Sequence, residues 1–218
     1  MPSFEGLLLW LVLALLAGGA VALLLVLRDR RPPAIAAAAL ARGDFAAALA
    51  AGSAPGAPRS ERLAAAAGAK HLLDFGGAGA LLAPLLAADP EDGEAWLEAG
   101  LVAAYAGDHD GAERAFARAA ALRSDLLESI TLHRAWSALA RGDRRAARSR
   151  FEEVEAPLES KLRSDLGPGD PLFAEWFLQA AALWRAAGDE ERAAWALAAG
   201  RAAAPASRLW QVVAAPSG

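Results

Sequence analysis

Few residues in this chain could do chemistry, and their spacing does not bring them together. Cysteine is absent, which removes disulfides, thiolate metal sites and cysteine nucleophiles. The three histidines, His71, His109 and His133, fall on no metal-ligand spacing. The densest group, Asp108-His109-Asp110, has the composition of an acid/base pair or a metal corner, yet a turn recruits Asp for capping whatever stands beside it. No glycine-rich phosphate loop, nucleophile elbow or HExxH run occurs. Arg141, Arg144, Arg145, Arg148 and Arg150 precede Glu152, Glu153 and Glu155. Arg148 and Glu152 are one helical turn apart, so this stretch reads as a solvated, salt-bridged face, with anionic lipid headgroups as the competing reading. The sequence therefore predicts a protein that is not an enzyme: no catalytic residue, no metal, no cofactor and no small-molecule substrate.

The elements that would carry these residues are helices. Hydrophobic residues make up 56% of the 218, alanine dominates them, and alanine has the highest helix propensity. Strand-forming β-branched residues are scarce, which predicts an all-α chain. A net charge of −4 argues against general nucleic-acid binding, so no nucleic acid is expected as a partner.

Residues 7–27 read LLLWLVLALLAGGAVALLLVL, 21 residues without a charge. At about 1.5 Å per residue they match a hydrocarbon core of roughly 30 Å, which predicts a transmembrane helix after a short tail of residues 1–6. A cleavable signal peptide is the alternative, but it wants a basic start and a shorter apolar run; here Glu5 precedes the stretch and Arg28-Asp29-Arg30-Arg31 stops it. The basic flank predicts a single-pass protein of the bacterial inner membrane with its C-terminal domain cytoplasmic, a periplasmic domain being the competitor. Ala14, Gly18 and Ala22 lie four apart, a candidate helix-packing stripe of small residues, and also what an Ala-rich segment carries by composition.

Residues 28–33 form a basic, proline-containing linker, and residues 34–218 the folded domain. One turn signal recurs along that domain: Arg42-Gly43-Asp44-Phe45, Leu73-Asp74-Phe75-Gly76, Ala106-Gly107-Asp108-His109, Arg141-Gly142-Asp143-Arg144 and Ala187-Gly188-Asp189-Glu190. The five aspartates are 30, 34, 35 and 46 residues apart. Trp96, Gly100, Gly107-Asp108, Ala112, Phe116 and Ala119 form the clearest unit, echoed by Ala78 and Pro90, by Ala147 and Phe151, and by Trp184, Ala193 and Pro205. This pattern resembles the tetratricopeptide repeat, a helix-turn-helix unit of about 34 residues. The resemblance covers roughly residues 32–205 and implies an α-solenoid of about five helical hairpins. Its first unit is degenerate, because Gly52-Ser53-Ala54-Pro55-Gly56-Ala57-Pro58 cannot continue a helix. An insertion near residues 157–170 is expected as a short extra helix on Leu158, Leu162 and Leu166, with Pro157 ending one helix or starting another and Gly167-Pro168-Gly169 breaking the chain.

Family members usually bind partners on the concave surface lined by the first helix of each unit. Carried onto this chain, that implies a groove of Lys70, His71, Leu101, Ala104, Tyr105, Trp136 and Arg185, with Tyr105 and Trp136 either anchors or core. The implied role is protein–protein interaction, as a scaffold or assembly factor. A structural subunit of a larger membrane complex, held mainly through the anchor helix, is the alternative. The layout is similar to bacterial lipopolysaccharide-assembly regulators, without their zinc-binding cysteine module. It is also similar to membrane-bound repeat proteins of cytochrome c maturation or envelope chaperoning, whose repeats are periplasmic.

Overall fold

A computed structural model describes residues 35–164 and 171–213. The expected tail, the anchor over residues 7–27 with Ala14, Gly18 and Ala22, the linker over 28–33 and the Gly167-Pro168-Gly169 break lie outside the described residues. Among the described residues there are eleven α-helices, two short 3-10 turns and no strand. No helix among them is long and apolar enough to cross a membrane. In chain order the helices are α1 (Ile35–Ala41), α2 (Phe45–Gly52), α3 (Arg59–His71), α4 (Phe75–Ala88), α5 (Gly93–Tyr105), α6 (His109–Leu122), α7 (Leu127–Ala140), α8 (Arg144–Ser164), α9 (Ala174–Ala186), α10 (Glu190–Ala203) and α11 (Leu209–Val213).

Five hairpins result, α1/α2 through α9/α10, and one local device makes every turn. Gly43, Leu73, Gly107, Gly142 and Gly188 adopt φ of 72°, 66°, 87°, 87° and 88°. The aspartate after each sends its backbone N–H 2.9 Å back to the carbonyl five residues earlier, as in Asp108 to Ala103, which closes the first helix as a Schellman motif. The same aspartate's carboxylate accepts the N–H three residues on, from Ala47, Gly77, Gly111, Ala146 and Arg192. One residue thus ends one helix and caps the next. Four of the five turns use glycine for the left-handed position; Leu73 holds it against the steric penalty of its Cβ.

Small residues set the closeness of each pair. A Cβ added to Gly100 would stand 2.5 Å from the Phe116 ring, so α5 and α6 cross where only a hydrogen fits. Phe116, fully buried, then fills the space toward the next hairpin, its ring stacked 6.1 Å from that of His133. Phe151 does the same one unit later, edge-on to Trp184 at 5.8 Å. The first hairpin is short because α2 ends at Gly52.

The insertion differs from expectation. Pro157 neither ends nor starts a helix: α8 runs unbroken from Arg144 to Ser164. The bond lost at a proline nitrogen is the one to the carbonyl four residues back. Here that carbonyl belongs to Glu153, an exposed residue, and buried Leu158 and Leu162 hold the extra turns down. The next helix is entered through a 3-10 turn, Pro171–Phe173, and not directly from the proline.

The hairpins stack in order, and the last also meets the first two. A small apolar cluster joins Phe45 to Ala174, Ala203 and Ala204, flanked by Leu40 and Leu72. The backbone N–H of Arg208 donates to the carbonyl of His71 at 2.8 Å, closing a gap of more than a hundred residues. A seam therefore connects the two ends of the described array.

Candidate functional site

That closure decides where the expected groove residues lie. Lys70 is 2% exposed, and His71, Leu101, Ala104, Tyr105 and Trp136 are buried with it. Tyr105 and Trp136 pack on each other, ring centroids 4.4 Å apart, within the main hydrophobic cluster. Six of the seven residues are thus interior in this structure. Arg185 alone is open, its side chain 41% exposed and 3.5 Å from Glu190.

The interior holds a polar chain across the first helices of four hairpins. Lys70 on α3 donates to Glu175 on α9 at 2.8 Å and to Glu98 on α5 at 3.3 Å. The other Glu98 oxygen is 3.0 Å from the same ammonium at an angle too poor for a hydrogen bond, and is otherwise without a partner. Gln179 Nε2 donates to the Tyr105 hydroxyl at 2.8 Å and, more weakly, to Glu175 at 3.4 Å. Its Oε1 must then accept from His133 Nδ1 at 2.7 Å, which places that imidazole's proton on Nδ1. His133 Nε2 is left to accept from the Ser129 hydroxyl at 3.0 Å. At the seam, Ser207 Oγ accepts the N–H of Leu209 and shares a hydrogen bond with His71 Nδ1 at 2.9 Å, while the His71 ring stacks on Phe45 at 4.2 Å.

Charge in this centre is arranged unequally. Burial alone would push Glu175 up, but Lys70, His133 and His71 hold it down to about 2. Glu98 moves the other way: burial, with Glu175 nearby, outweighs Lys70 and raises it above the usual carboxylate range. Burial lowers Lys70, yet the two carboxylates more than reverse this and keep it an ammonium. Burial, then the Lys70 charge, holds His71 down to about 3, and burial lowers His133 too. The centre therefore favours one ammonium, one carboxylate, one carboxyl slow to ionise and two neutral imidazoles. Such a set is expensive to desolvate and depends on all its members being present.

The outer surface carries a recess of about 740 Å³ between the turn ends of the fourth and fifth hairpins. Phe151 and Leu183 form its floor, Arg144 and Arg148 one wall, and Asp189, Glu190 and Glu191 the other. Arg148 is paired with Glu152 at 2.7 Å, as their spacing predicts, and Arg192 bridges Glu155 and Glu159 at 2.9 and 3.0 Å. His109 opens α6 after its cap Asp108 and contacts Ser137 at 3.2 Å, so Asp108 is a helix cap here. No group of His, Asp and Glu able to hold a metal ion occurs among the described residues.

Sequence reasoning placed Lys70, Tyr105 and Trp136 on the right helices but missed Glu98, Ser129, His133, Glu175, Gln179 and Ser207. A signal for five of them was present. Glu98 and Tyr105 are seven apart, Ser129, His133 and Trp136 fall at i, i+4 and i+7, and Glu175 and Gln179 are four apart. Polar residues thus recur on the inward stripe of first helices that otherwise bury apolar groups. Set against known proteins, the chain matches no family model, no curated protein and no solved structure at a significant level.

Proposed function

We propose that this chain is a membrane-anchored helical-repeat protein of tetratricopeptide type, an α-solenoid that holds protein partners as a scaffold or assembly factor on the cytoplasmic face of a bacterial inner membrane. The observation that supports it is the recurrence of one unit. Five times a left-handed residue closes a helix and the next aspartate caps its partner, and in the third unit Gly100 and Phe116 interlock as that repeat pattern leads one to expect. Such units present surface and not chemistry. With the inner face filled, contact falls to the outer surface, where Arg185 is paired with Glu190 on the wall of the recess. Anchoring through residues 7–27 would confine the search for a partner to the membrane plane.

The test is made in the full-length chain, in its own membrane. A photo-reactive residue in place of Arg148 or Glu190 should cross-link one defined partner, and Arg144→Glu on the exposed recess wall should abolish that product. Protease added outside intact spheroplasts should leave the hairpins uncut; digestion sinks the cytoplasmic placement. A second reading, the accessory subunit held by its anchor, draws support from the filled inner face. It predicts that replacing residues 7–27 with an unrelated apolar helix abolishes association while Arg144→Glu leaves it unchanged.

A further inference from the structure

We propose that the seam between α3 and the last hairpin is a proton-operated latch: it holds the two ends of the helical array together near neutral pH and lets them part, with the hairpins still folded, in mildly acidic solution. This goes beyond the scaffold reading and does not depend on it.

The seam is made differently from the rest of the molecule. Its apolar part is Phe45 with Ala174, Ala203 and Ala204, flanked by Leu40 and Leu72, whereas the main cluster packs aromatic and branched side chains across six helices and more. Its polar part is Lys70 to Glu175, His71 to Ser207, and the Arg208 N–H on the His71 carbonyl. No helix ladder or covalent turn links the two sides, so they can separate without unwinding either hairpin. The group poised to drive this is His71, buried between Phe45 and Ser207. Around it stand Lys70 on its own helix, Glu175 on α9, Glu98 on α5, Arg208 after α10, and Arg42 and Asp44 at the outer mouth of the seam. A proton on His71 would place a second buried cation against Lys70, and Glu175 is the carboxylate that would have to answer both.

Once the seam opens, His71 is hydrated and titrates near 6.5; closed, it is held down to about 3. Well below 6.5 each pH unit therefore multiplies the opening constant by about ten, and from pH 7.5 to pH 5 His71 contributes roughly 30-fold. Glu175 drives the same way only below about 4.5, and Glu98, raised while closed, opposes the opening over its own range.

The experiment follows amide exchange of the full chain in detergent micelles, with the intrinsic pH effect removed. Protection at Arg208 should fall about 30-fold from pH 7.5 to pH 5 while Ala115 to Ala119 in α6 stay protected. Because the chain has no cysteine, Arg42→Cys and Ala206→Cys can carry spin labels on either side of the seam. A single short distance at pH 7.5 should acquire a longer population at pH 5. His71→Gln should keep an acceptor for Ser207 and abolish the pH dependence. Should that variant not fold, Ser207→Ala serves instead: it should weaken protection at both pH values and keep the pH slope. Unchanged Arg208 protection in the natural chain, loss of α6 protection in step with it, a His71→Gln chain as pH-sensitive as its parent, or a Ser207→Ala chain indistinguishable from it each overturns the latch.

Discussion

The third hairpin and the seam are both close-packed, but for opposite reasons. In the hairpin, α5 and α6 are neighbours in sequence, meet through Gly100 and the Phe116 ring, and need only shape. At the seam the partners lie 105 and 136 residues apart and meet through an ammonium, a carboxylate, an imidazole and a hydroxyl. Apolar packing depends on shape and ignores pH. A buried polar contact depends on its partners and their protonation, because each member left unpaired carries its full desolvation penalty. The difference teaches that this domain is built from robust local units joined by a conditional closure.

The largest expected effect tests that directly. Lys70→Met keeps the volume and removes the ammonium, which leaves Glu175 and Glu98 facing each other in the interior. A loss of about 3–5 kcal/mol is expected, measured by denaturant unfolding. Adding Glu175→Leu should recover a large part of it, since removing both charges is milder than orphaning one. If Lys70→Met costs no more than a surface change, the seam is not the charged closure described.

Next comes pH. The folded value of His71, about 3, is below its unfolded value of about 6.5, so only the unfolded chain takes up this proton as pH falls through that window. Stability is full above about 6.5 and declines by about 1.4 kcal/mol per unit below it, or about 2 kcal/mol by pH 5. His133, lowered by burial, acts in the same direction. Denaturant unfolding of the natural chain and of His71→Gln at pH 7 and pH 5 checks this; equal pH slopes would remove His71 from the account.

The hairpin gives the matching case without charge. Gly100→Ala places a methyl against the Phe116 ring, which is fully buried and has no free end to yield. The expected loss is about 1–3 kcal/mol, the same at pH 7 and pH 5. A pH-dependent loss would break the comparison, because it would couple this apolar crossing to the polar centre. Relief by Phe116→Leu in the same chain would sharpen it.

What could be read from the sequence divides along the same line. The hairpins were legible because Gly107-Asp108 and its four counterparts act within six residues, and because Gly100, Ala112 and Phe116 repeat at helical spacing. The seam was not. Lys70 and His71 end a helix, where basic residues are expected on electrostatic grounds alone, and nothing local marks Glu175 or Ser207 as their partners. Alanine hid the rest: in so Ala-rich a chain a buried alanine such as Ala174 or Ala203 carries no pattern an exposed one lacks. Pro157 misled for a related reason: whether the helix continues past a proline is decided by what the following turns pack against, here through Leu158 and Leu162, a tertiary fact.

The smallest effect concerns the one turn that sits where the two kinds of region meet. Leu73 follows Leu72 of the seam and occupies the left-handed position that glycine fills in the other four turns, with φ of 66°. Leu73→Gly relieves a steric cost of about 1–2 kcal/mol. Against this, glycine loses about 0.5–1 kcal/mol more backbone entropy on folding, and the half-buried leucine gives up its contacts with the main cluster. The two sides nearly cancel, so unfolding should shift by less than about 1 kcal/mol in either direction. A clear stabilisation would mean that Leu73 is merely a poor cap. A loss above about 2 kcal/mol would mean that its side chain, and not its backbone, fixes how the second hairpin meets the seam, and closure would then rest on apolar packing more than on Lys70 and His71.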